Sequence, residues 1–235
     1  MAQNKLIVSN WKMNLNLSNS KKIINKLIKS TPKKKPYLKN IICPQFLLIP
    51  SISNLIKNTH LILGAQNCHY EDEGAFTGES SIELLKTFNC KYVIIGHSER
   101  RLYSSDSNLL VKKKIKIALS KKIKPIVCIG EPLEFRKKKK YLKFLEKQLD
   151  ECIPKSSEII IAYEPIWSIG SGLTPNFEEI FEIQKFVKSF LKRKKFIKKI
   201  SVLYGGSVSS KNIKNIIEES KVDGALIGGS SLIEK

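Results

Sequence analysis

A single carboxylate, Glu164, stands where an apolar run meets a loop containing proline and glycine. Residues 159–162 are apolar without polar alternation, which is typical of a strand buried on both faces of a parallel sheet. Pro165 cannot continue the hydrogen-bond ladder, so we predict that the strand stops at Glu164. Residues 166–172 combine apolar anchors with two glycines, as in a loop that closes as a unit. An acid beneath a closing lid could act as a base, whereas a solvated glutamate before an ordinary surface loop is the alternative.

Other polar side chains follow other apolar runs in the same way. A lysine near a carbonyl, a histidine that donates a hydrogen bond and a glutamate that accepts a proton form a set suited to enolisation. This chemistry requires no metal ligand. Taken singly, His97 could be a core imidazole and Lys12 a surface lysine, but their shared position favours a site. The strand-end residues are Asn10 and Lys12 after the first run, His97 and Glu99 after the fourth, Ser207 after the seventh, and Gly228 and Gly229 after the eighth.

The ends of the seventh and eighth runs are rich in glycine. Residues 205 and 206 and residues 228 and 229 are glycine pairs, and Ser207 adds a hydroxyl donor. Backbone N–H groups can converge on an anion there without interfering side chains. These segments therefore predict a phosphate site, although each glycine pair could also be a simple turn.

Eight short apolar runs recur along the chain. Strict alternation with helical segments predicts parallel strands joined by right-handed crossovers. Eight such units at this length predict one (β/α)8 barrel, usually ~250 residues, that spans residues 1–235 as a single domain. An open doubly wound sheet is the alternative, but neither a GxGxxG nor a Walker A turn occurs. The runs are residues 6–8, 41–43, 61–63, 92–95, 126–129, 159–161, 202–204 and 225–227.

The segments between the runs have helical spacing. Ser18 and Ser105 stand at positions typical of a helix cap, and Pro175 at a first-turn position. The chain stops at Lys235, so we expect a shortened eighth helix. The helical segments are residues 18–30, 46–57, 80–88, 105–121, 133–152, 175–195 and 209–220.

The net charge of +21 raises the possibility of nucleic-acid binding. Only four basic residues are arginines, and the lysines are spread over many segments. Direct base readout favours arginine, and specific binding favours a concentrated patch. We therefore expect solvated helix faces and no specific nucleic-acid partner.

The five cysteines are scattered, without a CxxC pair, which indicates reduced, mostly buried thiols in place of disulfides or a zinc site. No stretch approaches the length of a signal peptide's apolar region or of a membrane span. We expect a cytoplasmic protein without a membrane partner.

Residues 65–79 form a long segment with an apolar tip at Phe76. A monomer rarely leaves a phenylalanine in solvent, so this tip predicts packing against a partner chain or against its own barrel.

Motifs along essentially the whole chain resemble those of the triosephosphate isomerase family, in order, and several would be diagnostic alone. They are Asn10-Trp11-Lys12-Met13-Asn14, Ala65-Gln66-Asn67, Gly74-Ala75-Phe76-Thr77-Gly78-Glu79, Gly96-His97-Ser98-Glu99-Arg100-Arg101, Cys128-Ile129-Gly130-Glu131, Ala162-Tyr163-Glu164-Pro165-Ile166-Trp167, Tyr204-Gly205-Gly206-Ser207-Val208 and Gly228-Gly229-Ser230-Ser231-Leu232.

The resemblance implies a homodimer that interconverts dihydroxyacetone phosphate and glyceraldehyde 3-phosphate without a cofactor. By motif position, Glu164 is the base that moves the proton between two carbons, and His97 is the neutral electrophile. Lys12 and Asn10 stabilise the enediolate, and Glu99 orders this set.

The resemblance also implies a phosphate grip and a dimer loop. The tip with Phe76 and Thr77 would reach into the partner's site. The implied phosphate-binding residues are Lys12, Gly170, Ser207, Gly228 and Gly229.

Three departures from the family pattern leave every chemical group in place. Ser9 stands where glycine is common in the family. The segment after the predicted lid, residues 172–175, is shorter than in many members, and the eighth helix is expected to be short. Two other functions stay open on the sequence: another phosphate-binding barrel enzyme, and a lysine-rich barrel that binds RNA or a surface.

Overall fold

The computed structural model describes residues 5–30, 37–156, 158–168, 174–195 and 197–232. Within these residues, eight parallel strands pair in chain order, and the last pairs with the first. The sheet therefore closes into a barrel, which confirms the predicted (β/α)8 fold over the open sheet. The strands are Lys5–Asn10 (β1), Leu38–Cys43 (β2), Leu61–Ala65 (β3), Tyr92–Ile95 (β4), Lys124–Ile129 (β5), Glu158–Tyr163 (β6), Lys199–Tyr204 (β7) and Gly224–Ile227 (β8).

Nine α-helices lie within the described residues. Gly229–Leu232, after β8, forms a 3-10 turn. None of the helices in the described ranges has the length and hydropathy of a membrane span. The helices are Leu17–Ser30 (α1), Ile49–Ile56 (α2), Ile82–Thr87 (α3), Ser98–Tyr103 (α4), Asn108–Ser120 (α5), Leu133–Lys137 (α6), Tyr141–Cys152 (α7), Phe177–Arg193 (α8) and Ile213–Glu219 (α9).

Some predicted helix boundaries were wrong for local reasons. Ser105 adopts a left-handed φ of 54°, and Ser107 instead caps α5 by accepting the Leu110 N–H at 3.2 Å. Ser18 lies inside α1, and Pro175 precedes a helix whose capping box is formed by Asn176 and Glu179.

The predicted helix at 133–152 is two helices. Lys139 takes a φ of 55°, and the chain turns there between α6 and α7. The break falls in the basic run at 136–140, where Arg136 and Lys140 are four residues apart, and like charges at that spacing disfavour a continuous helix.

Side chains of the strands alternate between two packed layers. In β6, Ile160 and Ala162 belong to the cluster that fills the barrel, whereas Ile159 and Ile161 pack against the helices. Because strand side chains alternate with a period of two, Glu164 continues the inward series at the mouth. The same alternation in β1 places Asn10 above Leu6 and Val8.

The cysteines are all reduced and buried, as predicted, and each lies in the described part of the chain. Burial raises the pKa of the Cys68 and Cys90 thiols to about 12, so both stay protonated at neutral pH.

Candidate active site

A cavity of about 330 Å³ opens at the C-terminal ends of the strands. Active sites of this fold lie at that face of the barrel. Seven residues predicted from the sequence line it together: Asn10, Lys12, His97, Glu164, Ser207, Gly228 and Gly229.

Glu164 follows β6 directly, and its backbone N–H donates to the Ile129 carbonyl at 2.8 Å. The carboxylate is 2% exposed. One oxygen, Oε1, lies 2.9 Å from His97 Nε2, and Oε2 accepts the Ser98 N–H at 3.0 Å. A side chain at Gly205 would put Cβ 2.9 Å from Glu164 Cγ, so glycine there leaves room for the carboxylate.

His97 precedes α4 and is 6% exposed. The Glu99 N–H donates to Nδ1 at 3.3 Å, so Nδ1 carries a lone pair and the proton sits on Nε2, facing Glu164. Burial is the largest influence and lowers the pKa of His97, but the carboxylates of Glu164 and Glu99 together outweigh it, and the net direction is upward. The imidazole can therefore donate a hydrogen bond into the cavity when Glu164 moves toward a substrate.

Lys12 is held in a rare backbone conformation, with a left-handed φ of 51°. Its N–H donates to the Asn10 side chain at 3.1 Å, and its carbonyl accepts from Gln66 Nε2 at 2.8 Å. The ammonium pairs with Glu99 Oε1 at 2.5 Å, and its side chain passes next to Gly228. These contacts direct a positive charge into the cavity.

Ser207, Gly228 and Gly229 also line the cavity. The Ser207 hydroxyl donates to the Ser168 carbonyl at 3.2 Å. Gly170, the other predicted phosphate-binding residue, lies outside the described residues.

Glu131 lies at the base of the segment predicted to be a lid, and it was missed as a functional candidate. Its Oε1 accepts from both Tyr163 Oη and Trp167 Nε1 at 3.0 Å, which ties the turn Ile166–Ser168 to β6. Burial raises the pKa of Glu131 despite these hydrogen bonds. The motif around Gly130 contained Glu131, but only the fold reveals its partners.

Gln66 and Ser98 were also missed, because both act through contacts between distant segments. Gln66 Nε2 bridges the carbonyls of Lys12 and Cys43, and the backbone N–H of Ser98 donates to Glu164. Both residues belong to quoted motifs, and no pattern of spacing assigns their contacts.

The apolar tip at 65–79 packs partly on its own chain. The Phe76 ring lies 4.1 Å from the His69 ring between centroids, yet Phe76 stays 38% exposed. A separate groove of about 260 Å³ lies beside the active cavity and shares Lys12 with it. Met13 and Leu47 line this groove and are 88% and 91% exposed.

Comparison with known proteins identifies the family of this chain. The sequence profile described as Triosephosphate isomerase matches residues 5–235. The chain belongs to the triosephosphate isomerase family. Proteins named triosephosphate isomerase from Dictyoglomus turgidum and Aquifex aeolicus are each 39% identical to it, and one from Alkaliphilus oremlandii is 37% identical. Each alignment covers 97% of this chain and 94% of the relative.

Residues at the ends of β1, β4, β6, β7 and β8 converge on one cavity because the C-terminal ends of the barrel strands share one face. The matched region includes every predicted site residue, among them Glu99, which lies behind Lys12 and outside the cavity lining. Within the described ranges, no group of His, Cys, Asp and Glu side chains is arranged to hold a metal ion.

Proposed function

We propose that this chain is a triosephosphate isomerase that interconverts dihydroxyacetone phosphate and glyceraldehyde 3-phosphate through an enediolate, in glycolysis and gluconeogenesis. The observation that carries the proposal is the contact of Glu164 and His97, at 2.9 Å, in a cavity that also holds Lys12 and the glycine-rich ends of β7 and β8.

Glu164 is the base of the reaction. It takes a proton from the carbon next to the carbonyl, the C–H electron pair forms the carbon–carbon double bond, and the carbonyl electrons move to oxygen. His97 gives its Nε2 proton to the former carbonyl oxygen and takes the proton of the neighbouring hydroxyl. Glu164 then returns its proton to the neighbouring carbon as the new carbonyl forms, so the sum is an isomerisation. In the free site, Oε1 of Glu164 contacts His97 and Oε2 accepts the Ser98 N–H.

His97 and Lys12 stabilise the negative charge that develops on oxygen. His97 offers its Nε2 proton, and the Lys12 ammonium supplies a fixed positive charge in a partly water-excluded cavity. Asn10 holds the backbone of Lys12, and Glu99 holds its ammonium. Ser207, Gly228, Gly229, Gly170 and Lys12 bind the phosphate in this proposal.

The working unit in this proposal is a cytoplasmic homodimer. The groove next to Lys12 is apolar, and the Phe76 and Thr77 tip of a second copy has matching chemistry. Docking there would cover Met13 and Leu47 and would press on a residue of the active site.

The test is a coupled assay of glyceraldehyde 3-phosphate isomerisation with wild type and Glu164→Gln. An amide cannot accept the proton, so we expect kcat to fall at least ~10²- to 10⁴-fold with little change in KM. Glu134→Gln, an exposed change of the same type on α6, is the control.

A Glu164→Gln variant that keeps a tenth of the activity would place the base elsewhere. A wild type that binds phosphate but does not turn over either triose phosphate would favour another phosphate-binding barrel enzyme.

A further inference from the structure

The loop after β7 carries a side chain whose role the proposed function leaves unassigned. Asn212 lines the active cavity next to Ser207, Val208 and Ser209. Its Oδ1 accepts the Ser209 N–H at 2.8 Å, and its Nδ2 donates to the Ser207 carbonyl at 3.1 Å. One amide therefore bridges both ends of a three-residue segment.

The orientation of this amide is fixed by its partners. A backbone N–H can only donate and a carbonyl can only accept, so oxygen must face Ser209 and nitrogen must face Ser207. The backbone N–H of Asn212 also donates to the Ser209 carbonyl, at 3.3 Å, which closes the turn from both sides.

The bridged segment follows two glycines, Gly205 and Gly206, which lose more conformational freedom on ordering than other residues. Ser207 is bound on one side by Asn212 and on the other donates its hydroxyl to Ser168, in the turn that begins the predicted lid. The place of Ser207 relative to the cavity therefore depends on the amide of Asn212.

We propose that Asn212 is a positioning residue that holds Ser207–Ser209 in the conformation that receives the phosphate group of the substrate. This inference rests on the proposed function. Asn212 acts through the loop and takes no part in the proton transfer between carbons.

The chemistry explains why an amide suits this place. Alanine would leave the Ser209 N–H and the Ser207 carbonyl without their partner. Aspartate would still accept from Ser209, but it would face the Ser207 carbonyl with a second acceptor and bring negative charge into a cavity that binds a phosphate dianion. Asn212→Asp is therefore expected to do more harm than Asn212→Ala.

The experiment compares two substrates that differ only in the phosphate. Isomerisation of both substrates is measured for wild type, Asn212→Ala and Asn212→Asp. The reaction of glyceraldehyde 3-phosphate is followed by the coupled assay, and that of glyceraldehyde by NMR. Loss of two neutral hydrogen bonds predicts a fall in kcat/KM of roughly tenfold to a hundredfold for the phosphorylated substrate with Asn212→Ala. Asn212→Asp should show a larger fall in kcat/KM for glyceraldehyde 3-phosphate. In both variants, kcat/KM for glyceraldehyde should stay unchanged.

Inorganic phosphate gives a second readout that needs no turnover of glyceraldehyde. Its inhibition constant against glyceraldehyde 3-phosphate should rise in both variants by a factor similar to the loss in kcat/KM. Asn215→Ala, on the exposed side of α9, is the matched control and should change nothing.

An equal loss on both substrates would show a general structural role and overturn the inference, as would full activity of Asn212→Ala on glyceraldehyde 3-phosphate. If wild type turned over neither substrate, the proposed function itself would fail. That outcome differs from the failure of this inference alone, in which wild type is active and the Asn212 variants lose the same factor on both substrates.

Discussion

At the scale of single residues, the position of Glu164 results from two simple constraints. The period-two alternation of β6 turns it inward, and glycine at 205 leaves the volume that its side chain occupies. Asn10, Lys12, His97 and Glu164 could be predicted because each lies at or just past the end of a strand, and these ends share one face. Ser98 and Gln66 could not, because their contacts join segments that only the closed barrel brings together. Asn212 could not either, because its local bridge depends on the conformation of the loop after β7.

Gly205→Ala is predicted to damage catalysis more than folding. The new Cβ would lie 2.9 Å from Glu164 Cγ and 3.3 Å from the Tyr163 carbonyl, so the carboxylate must shift. We expect kcat to fall at least tenfold, since small misplacements of a catalytic group are costly, while stability drops by about 1–3 kcal/mol. Steady-state kinetics and thermal unfolding measure the two effects.

Gly229→Ala is the comparison, because a Cβ there meets nothing within 4 Å. Its kcat should stay near wild type, with any change confined to KM through the phosphate site. A Gly205→Ala enzyme with normal kcat would show that the base tolerates displacement.

At the scale of elements, the turn Ile166–Ser168 is anchored to the barrel through Glu131. Tyr163 from β6 and Trp167 from the turn share one carboxylate oxygen, and Arg136 at the end of α6 lies 3.9 Å away. The sequence predicted a lid that begins after Pro165, but the buried acid that holds its first turn could not be inferred. Residues 169–173 lie outside the described residues, so the lid remains a prediction there.

Ionisation of Glu131 is predicted to cost folding free energy. Burial raises its pKa, so the folded protein holds this proton more tightly than the unfolded chain does. The penalty is absent below the ordinary carboxyl pKa, grows as pH rises toward the raised pKa, and is constant above it. Glu131→Gln keeps an acceptor for Tyr163 and Trp167 but cannot ionise. The melting temperature of Glu131→Gln should therefore increase relative to that of wild type as pH rises from 4 to 8.

The measurement is thermal unfolding of wild type and Glu131→Gln at intervals across that range. The exposed Glu134→Gln change should track wild type at every pH. A constant difference between Glu131→Gln and wild type would mean that the proton on Glu131 is not linked to folding.

At the scale of the whole molecule, a lysine-rich hollow and the exposed apolar groove lie on different parts of the surface. Lysines surround a hollow of about 440 Å³ between α5, α7 and the end of α8, where Lys112, Lys116, Lys155 and Lys194 face Asp150. Lys194 pairs with Asp150 at 2.7 Å, and its hydrogen bond lowers the pKa of that carboxyl. The groove at Met13 and Leu47 instead adjoins the active cavity.

The net charge of +21 is predicted to give only weak, non-specific binding to nucleic acid. Spread lysines neutralise phosphates without reading bases, so affinity should not depend on sequence and should fall steeply as salt approaches ~150 mM. Fluorescence anisotropy with two unrelated duplexes over a salt series measures this. Tight binding to one duplex at physiological salt would restore the nucleic-acid hypothesis.

Leu47→Glu is predicted to separate the proposed dimer and lower its activity. Leu47 is 91% exposed, so a charge there should leave the barrel folded, yet in a docked pair it would be buried against the partner's tip. Because the groove shares Lys12 with the active cavity, loss of the partner should loosen Lys12 and reduce kcat. Sedimentation should show a wild-type dimer and a Leu47→Glu monomer, and removal of residues 73–79 should give the same inactive monomer.

Phe181→Glu, at a residue 40% exposed on α8, is the matched control and should remain dimeric and active. A wild-type monomer that is fully active at nanomolar concentration would rule out the dimer and leave Lys12 positioned by Gln66, Asn10 and Glu99 alone.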